Sequence, residues 1–392
     1  MELYKDIRAM EPELLSWYHA LHRIPEVELH LPQTATFVSA RLTELGIAHE
    51  ILPESSGIVA VIGHGAGAAV ALRADMDALA VREETGLPYA AENGCMHACG
   101  HDAHTAILLT AARWLKSHED ALAGRVVLLF QTAEESLLGA KHMLAQGVLE
   151  KYAPTRIVAL HTGSLCEAAE AGTLLFSQGT AFRSSNNFRI TVAGKGGHAA
   201  HPQLTHDPIV AAARIIEALQ SLVSREVSPS TASVVSVTHV RAGAETYNVI
   251  PNEAVLLGGV RTDAPETRLL LMRRTEEVAR GTAEAMRCTA RVEWMAGTPA
   301  VVNDPETAVR VERAAARLFP CETRWLHDSI GGGEDAAYFF EKLPGCYVFL
   351  SSMGCDPDGT SYPHHHAKFR LNESVLWRGA AVMAAAALEL ME

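Results

Sequence analysis

The chain has 392 residues, of which 48% are hydrophobic and 20% charged, and its formal net charge is −13 at pH 7. This length predicts two or three domains, and the composition excludes an intrinsically disordered chain. The acidic charge argues against nucleic acid as a partner, because phosphate binding needs a basic face. Seven scattered cysteines predict a reducing compartment rather than a disulfide framework, and hence a cytoplasmic protein.

The first part of the chain alternates helical and strand patterns. Apolar residues at helical spacing predict helices over 3–22, 34–45, 102–117 and 139–146. Apolar runs predict strands over 57–62, 69–74, 125–131 and 156–160. Asp102 is the expected N-cap of its helix.

The middle of the chain follows the order β-α-β-β-α-β, which is typical of a ferredoxin-like domain. The predicted elements are a strand over 187–195, a helix over 207–224, strands over 232–242 and 253–262, a helix over 266–286 and a strand over 289–295. We expect an inserted α+β domain over 184–295. The surrounding α/β domain then consists of 1–183 and 296–392.

The α/β pattern returns after the inserted domain. Helices are predicted over 305–319 and 373–392, a strand over 346–351, and a further helix that opens at the three glycines 331–333 and ends at Leu343. Residues 1–12 lack the apolar segment of a secretory signal. No apolar run approaches the roughly 20 residues that span a bilayer, and the alanine-rich stretch 382–390 indicates a packed terminal helix, so we expect no membrane partner.

Residues 97–104 hold the densest group of reactive side chains, with three imidazoles, a thiol and a carboxylate. Cys99 and His101 flank a glycine just before a predicted helix, so the turn between them can aim two soft ligands at one point. The positive end of the helix is expected to favour the Cys99 thiolate over the thiol.

Three predicted strands deliver polar residues at their carboxyl ends. Asp75 and Asp77 follow one strand, Glu134 and Glu135 the next, and His161 the third. In open α/β sheets ligands bind at this edge. We therefore expect these side chains to meet the Cys99–His101 turn there.

The candidate metal ligands are more numerous than one tetrahedral ion takes. They are Cys99, His101, Glu135, His161 and one of His364, His365 and His366. This number predicts two metal ions about 3.5–4 Å apart, as in co-catalytic hydrolase sites. Adjacent carboxylates at a strand end are not expected to point the same way, so Glu135 binds metal while Glu134 acts as general base and acid.

Six motifs carry a resemblance over essentially the whole chain. They are RADMDAL at 73–79, MHACGHD at 96–102, QTAEE at 131–135, GGHAA at 196–200, NVIP at 248–251 and GGED at 332–335. With them the chain resembles the aminoacylase/carboxypeptidase family of co-catalytic metallohydrolases. More narrowly, it is similar to the amidohydrolase branch with hippurate hydrolases, N-acyl-amino-acid amidohydrolases and plant auxin-conjugate hydrolases.

The resemblance implies a zinc-exopeptidase-like α/β/α catalytic domain with an inserted ferredoxin-like α+β lid domain. It selects His365 as the fifth ligand, because the family has a ligand four residues before a phenylalanine, here Phe369. It further implies that Asp77 orients the metal ligands and that His198, on the lid, stabilises the oxyanion. Two features depart from the branch: Ala80 replaces a usual proline, and the segment 355–363 is unusual.

The implied function is hydrolysis of N-acyl-L-amino acids, with acetyl, benzoyl or aryl-acyl groups, to a carboxylic acid and a free amino acid. A dinuclear-metal dipeptidase or carboxypeptidase of the same fold is the alternative. A non-catalytic metal-binding relative is a third possible function, and the presence of Glu134 argues against it. Asn248 and Arg261 are the expected contacts for the substrate carboxylate.

The expected cofactors are two divalent ions per subunit. Thiolate and imidazole ligands favour zinc, with manganese, cobalt or nickel as alternatives. We also expect a homodimer formed through the lid domain, because its four-stranded layer leaves a strand edge or helix face to cover.

Overall fold

The structure is a computed structural model of the chain and describes residues 2–165 and 169–392. Its helices are α1 (Glu2–Ala9), α2 (Glu11–His22), α3 (Pro32–Glu44), α4 (His101–Ser117), α5 (Gly139–Ala145), α6 (Val148–Tyr152), α7 (Pro208–Ser221), α8 (Pro265–Ala285), α9 (Pro305–Leu318), α10 (Ala337–Phe340) and α11 (Leu376–Met391).

Its strands run through the whole chain. They are β1 (His49–Ile51), β2 (Ile58–Ile62), β3 (Ala69–Asp75), β4 (Arg125–Gln131), β5 (Arg156–Gly163), β6 (Leu174–Phe176), β7 (Thr180–Phe182), β8 (Asn186–Ala193), β9 (Gly197–His198), β10 (Ser233–Ala242), β11 (Val249–Ile250), β12 (Glu253–Thr262), β13 (Thr289–Trp294), β14 (Val301–Val302), β15 (Thr323–Trp325) and β16 (Gly345–Ser351).

The chain divides into two compact units. Unit 1 runs to Ala181 and continues over Val301–Ile330 and Asp335–Glu392, and unit 2 consists of Phe182–Ala300 and Gly331–Glu334. The sequence placed the inserted domain at 184–295. The segment that the sequence left out of this domain, Gly331–Glu334, packs closely in unit 2, since a Cβ on Gly333 would lie 2.6 Å from that of Ser185.

Unit 1 is built on a mixed sheet of eight described strands in the order β1-β2-β4-β3-β5-β16-β6-β15. The central strands β4, β3, β5 and β16 are parallel. Both faces of these strands are buried, as their continuous apolar runs predict. On one face Val70, Leu72, Leu128 and Val158 join a core with α2, α4, α9 and α11.

Unit 2 has four antiparallel strands in the order β10-β12-β8-β13. Its core is formed between this sheet and α7 and α8, around Ile190, Ile215, Leu256 and Leu271. The chain order β8-α7-β10-β12-α8-β13 is the predicted ferredoxin-like arrangement. The second face of the sheet is more exposed, and β10 alternates accordingly at Val234 and Val235.

Three element predictions were wrong in detail. The first predicted helix is broken at Met10 into α1 and α2, because Pro12 cannot donate a backbone hydrogen bond into the preceding turn. Asp102 is not a helix cap: α4 begins after Gly100, and Asp102 lies in its first turn. The glycines 331–333 do not open a helix, and only the short α10 forms, because Asp335 points into a buried polar network.

The C-terminal helical stretch is strongly apolar. Glu373–Met391 is long and apolar enough to cross a membrane by length and composition, contrary to our reading of the sequence. In this structure 72% of its apolar window is buried inside the protein, which is typical of a core helix.

Candidate metal centre

The parallel strands of unit 1 bring their carboxyl ends to one edge of the sheet. Asp75 at the end of β3 pairs with Gln131 at the end of β4, and β5 lies on the other side of β3. Glu134 and Glu135 follow β4 directly, and His161 lies near the end of β5. The structure therefore gathers the predicted polar residues of unit 1 at the edge where α/β sheets bind ligands.

The turn before α4 holds Cys99 and His101 on either side of Gly100. Gly100 has a positive φ of 91°, and a Cβ there would lie 2.7 Å from the hydroxyl oxygen of Thr162. Only glycine fits this position, because any side chain would be strained and would overlap β5. The close approach brings Cys99 Sγ to 3.6 Å from His161 Nε2.

Two overlapping groups of possible ligands lie within 4.8 Å each. One contains Cys99, His101 and His161, and the other contains Cys99, Glu135 and His365. Glu135 Oε1 lies 3.9 Å from His101 Nε2 and 3.5 Å from His365 Nε2. Cys99 belongs to both groups, so the residues of the two groups could hold two ions close together.

Buried polar atoms at this site suit a bound cation. Among the described residues, His101 Nε2 and Glu135 Oε1 are buried without a hydrogen-bond partner. Unpaired buried polar atoms are costly, so native proteins usually give them a partner or a bound ion. These donors, together with a thiol and imidazoles, form a set that a divalent transition metal accepts.

The electrostatics of Cys99 differ from our expectation. Burial raises the pKa of the Cys99 thiol well above its usual range, and the carboxylate of Glu135 raises it further. Burial of Cys99 thus opposes the ionisation that its position at the start of α4 was expected to favour. A cation that takes the place of the thiol proton supplies the charge that ionised sulfur needs.

Both buried imidazoles have fixed orientations. His101 Nδ1 donates to the Asp77 carbonyl at 2.9 Å, and His161 Nδ1 donates to the Thr162 carbonyl at 2.7 Å, which leaves each Nε2 to face the cluster. Burial lowers the pKa of His161 well below its usual range, so it is neutral and able to bind metal.

Asp77 is a buried carboxylate beside the predicted ligands. Its Oδ2 accepts the backbone N–H of Glu135 at 3.0 Å, and its Oδ1 lies 3.4 Å from His101 Nδ1. Asp77 thus contacts two of the predicted ligands from behind, the position from which a residue orients ligands.

Glu134 and Glu135 emerge from a tight turn. Ala133 has a positive φ of 55°, and Gly139 lies so close to Thr132 that a Cβ would overlap the Thr132 carbonyl. Carboxylate oxygens of both glutamates come within 4.8 Å of His101. The expectation that the adjacent carboxylates point in different directions is not met, since one oxygen of each lies close to the same imidazole.

The three consecutive histidines point in different directions. His365, itself left-handed with φ 66°, has its backbone N–H bonded to the Ala98 carbonyl at 2.8 Å, and its side chain is 54% exposed. His364 turns inward and accepts the N–H of Ser164 at 3.3 Å; burial and the neighbouring His365 lower its pKa to about 3. His366 stacks on Tyr362. Of the three, only His365 joins a ligand group of the described residues.

The remaining predicted residues lie in unit 2. His198 and Asn248 come together on the ribbon formed by β9 and β11, where the Asn248 carbonyl accepts the N–H of Ala199 at 3.0 Å. His198 is exposed, and its Nδ1 accepts the N–H of Ala200 at 3.0 Å. A neutral His198 therefore carries its proton on Nε2, as an exposed donor.

Arg261 does not join them within unit 2. It lies eight residues into β12, while the ribbon meets the opposite end of that strand, about 27 Å away in extended chain. Its guanidinium donates to Asn187 Oδ1 at 3.0 Å and lines a groove of about 670 Å³ on the sheet with Phe188 and Leu257.

Sequence reasoning placed Asp75 at this edge but missed the buried hydrogen-bonded network that it joins. Arg73, Asp75, His104 and Asp335 form a hydrogen-bonded network, and His22 bonds to Asp102 at 2.6 Å. His104 and Asp75 both lie in stretches that the sequence singled out. A charged or imidazole group inside an apolar run indicates a buried polar residue, but it does not predict which residue forms the hydrogen bond with it.

The fold and this cluster define a co-catalytic metallohydrolase, with overlapping ligand groups at the edge of a parallel sheet and the carboxylate of Glu134 beside them. The chain matches the family model described as Peptidase family M20/M25/M40 over residues 71–389, and it belongs to that family. It is therefore a hydrolase, as the resemblance implied.

The chain is similar to several amidohydrolases over most of its length. It is 35% identical to N-acetyl-L-cysteine deacetylase of Bacillus subtilis (strain 168), covering 99% of this chain and 90% of that protein. It is 33% identical to hippurate hydrolase of Campylobacter jejuni, covering 100% of both chains. It is 35% identical to IAA-amino acid hydrolase ILR1-like 4 of Arabidopsis thaliana, covering 94% and 83%.

A solved structure supports the fold. The Bacillus subtilis YXEP protein, described as a dinuclear metal binding peptidase from the M20 family, matches with a TM-score of 0.83 and 32% identity over 98% of this chain and 99% of that chain. The α/β fold that the sequence predicted is confirmed.

Proposed function

We propose that the metal centre of unit 1 catalyses hydrolysis of the amide bond of N-acyl-L-amino acids. The observation that carries this proposal is the pair of ligand groups that share Cys99, with the buried carboxylate of Glu134 beside them. The chain is a metal-dependent amidohydrolase of N-acyl amino acids. One water is consumed, and the products are a carboxylic acid and a free amino acid.

The five predicted ligands would hold two divalent ions, which supply an acidified water and a polarised substrate carbonyl when bound. Glu134 takes the proton of the attacking water and delivers it to the leaving nitrogen. Asp77 keeps His101 and the Glu135 backbone in place. The exposed Nε2–H of His198 is the proposed donor to the oxyanion, and Asn248 beside it is the proposed contact of the substrate carboxylate. Arg261 lies too far from Asn248 within unit 2 to share that contact, so we do not propose the role that was predicted for it from the sequence.

Zinc is the proposed metal, because one thiol and three imidazoles are among the five donors. Manganese, cobalt and nickel are the alternatives. Metal analysis of the protein purified without added metal separates them.

A homodimer through unit 2 and a cytoplasmic location complete the proposal. Unit 2 has edge strands β10 and β13 and exposed apolar residues, among them Val240 (54%) and Met295 (49%). The six described cysteines are free thiols, which supports a reducing compartment. Cell fractionation with a periplasmic and a cytoplasmic marker tests the location.

A substrate panel tests the function. N-acetyl, N-benzoyl and indole-acetyl derivatives of one amino acid are compared with a dipeptide that ends in the same amino acid, and metal content is measured on the same preparation. We expect hydrolysis of at least one blocked substrate and little of the dipeptide. Hydrolysis of the dipeptide alone would favour the dipeptidase alternative and contradict the proposal.

A further inference from the structure

We propose that His104 is a positioning residue for the metal ligand His161, and that Asp75 and Arg73 hold His104 in the tautomer this role needs. The proposal rests on the proposed metal centre. It adds a second layer of buried residues, none of which was assigned a role from the sequence.

These three residues are among the most deeply buried polar groups of unit 1. Arg73 is 1% exposed, Asp75 0% and His104 2%. A buried ionic group is tolerated only when it is paired and its hydrogen bonds are satisfied. We therefore expect the hydrogen bonds of each residue to hold its side chain in one orientation.

The hydrogen bonds of His104 fix its tautomer. The backbone N–H of Thr162 points at His104 Nε2 from 2.9 Å, and because an N–H can only donate, Nε2 accepts. The ring proton of neutral His104 is then on Nδ1, which donates to Asp75 Oδ1 at 2.5 Å. A histidine with the other tautomer would turn two donors against each other at Thr162.

The backbone of Thr162 connects His104 to the metal ligand His161. Its N–H is held by His104, and its carbonyl accepts the Nδ1–H of His161 at 2.7 Å. The Thr162 hydroxyl also lies 3.0 Å from His104 Nε2. His104 therefore fixes the backbone group that fixes the ring of His161, whose Nε2 faces Cys99.

Arg73 holds the Asp75 carboxylate from the side opposite to His104. It donates to Asp75 Oδ2 at 2.8 Å, to Gln131 Oε1 at 3.0 Å and to Asp335 Oδ1 at 3.2 Å. The Asp335 backbone N–H lies 3.4 Å from Glu134 Oε1. Arg73 thus ties the support of His161 to the turn that carries the proposed base.

The same atoms could be read as a further ion site, because Asp75, His101 and His104 offer ligand atoms within 4.8 Å. Their hydrogen bonds favour positioning. Both oxygens of Asp75 are used by His104 and Arg73, and both nitrogens of His104 are used by Asp75 and Thr162. An ion there would have to break these bonds.

Two substitutions of His104 separate its hydrogen bond to Asp75 from its hydrogen bond to Thr162. In His104→Asn the side-chain amide can still donate to Asp75 but does not reach Thr162. In His104→Gln the longer side chain can accept the Thr162 N–H. We expect His104→Asn to lower metal affinity by about 10- to 100-fold, the usual effect of losing a support behind a ligand, and His104→Gln to retain most of the affinity.

Asn303→Ala is the matched control for loss of buried hydrogen bonds. Asn303 is 1% exposed in unit 1 and bonds to the backbone of Ser177 and Tyr347, away from the predicted ligands. Metal-free samples of all variants are compared by circular dichroism and thermal melting. The metal readouts are zinc affinity by competition with a chelator and the visible absorption bands of the Co²⁺-loaded protein, which report ligand geometry.

The proposal predicts altered Co²⁺ bands and weakened zinc binding in His104→Asn but not in Asn303→Ala, with two ions per chain in the wild type. Wild-type affinity and bands in His104→Asn, or an equal loss in the control at equal melting temperature, would overturn it. If His104→Asn does not fold, a loss of affinity in folded Asp75→Asn supports the proposal, and its absence overturns it. A wild-type protein that binds no metal would instead overturn the metal centre itself, and three bound ions would favour the further ion site.

Discussion

Glu134 and Glu135 are adjacent carboxylates with different surroundings. Glu134 is 7% exposed and its Oε1 lies 3.4 Å from the Asp335 nitrogen, whereas Glu135 Oε1 lies 3.5 Å from His365 Nε2. We predict that Glu134→Gln keeps its metal and fold but loses about 10²–10⁴-fold in kcat, because glutamine cannot carry a proton. Glu135→Gln should instead lower the metal content. Metal analysis and kcat of both variants check this, and exchanged phenotypes would refute the assignment.

His198 lies exposed on unit 2 with one ring nitrogen available as a donor. Its Nδ1 is occupied by the Ala200 N–H, so its Nε2–H is available as a donor. We predict that His198→Ala lowers kcat by about 10²–10³-fold with little change in KM or metal content, because an oxyanion donor acts mainly in the transition state. His201→Ala, at a second exposed histidine whose ring centroid is 5.6 Å away, is the control. An unchanged kcat in His198→Ala would remove it from the mechanism.

The close packing of the turn before α4 against β5 depends on Gly100. We predict that Gly100→Ala loses metal, because the added Cβ would lie 2.7 Å from Thr162 Oγ1 as well as straining a φ of 91°. Gly94→Ala is a matched control, since Gly94 has φ 86° but no atom within 4 Å of the added Cβ. The control should cost only about 1–2 kcal/mol of stability and keep its zinc. Equal metal content in both variants would contradict the close-packing argument.

The hydrogen bond between His22 of α2 and Asp102 of α4 makes the stability of the protein depend on pH. Burial lowers the pKa of His22, but Asp102 and Glu83, bonded at 2.6 and 3.2 Å, outweigh it and raise the pKa from 6.5 to about 9. Because the folded pKa exceeds the unfolded one, this contribution is complete below about pH 6.5 and is lost as the pH rises through about 9.

We therefore predict that the free energy of unfolding falls between pH 6.5 and 9, on the order of 3 kcal/mol from this residue. Denaturant unfolding across that range measures the fall. The variant His22→Gln should show a flatter profile, and identical slopes in variant and wild type would contradict the assignment.

The sequence predicted the features that depend on local patterns and missed the contacts between residues far apart in the chain. The apolar runs of β3 and β4 identified the buried sheet, and the polar residues at their ends identified the ligand edge. The bond between Arg73 and Asp335 joins residues 262 positions apart, and no local pattern predicts it. The same reason explains why burial, which dominates the Cys99 pKa, could not be foreseen from its place at a helix start.

Unit 2 gives a prediction about assembly. Val234, Val240 and Met295 are 43%, 54% and 49% exposed on or beside the edge strands β10 and β13. We predict a homodimer, with a mass about twice the 42.2 kDa of the chain by sedimentation at micromolar concentration. Val240→Lys should weaken the dimer. A wild-type monomer under these conditions would contradict the prediction.

The proposed reaction depends on two divalent ions, held by the two ligand groups that have Cys99 in common. The most direct measurement is to remove all metal with a chelator, add zinc back stepwise, and follow both bound zinc and hydrolysis of an N-acyl amino acid. We predict no activity without metal and a plateau of activity when two zinc ions are bound per chain. Full activity from protein shown to contain no metal would contradict the metal centre and the mechanism built on it.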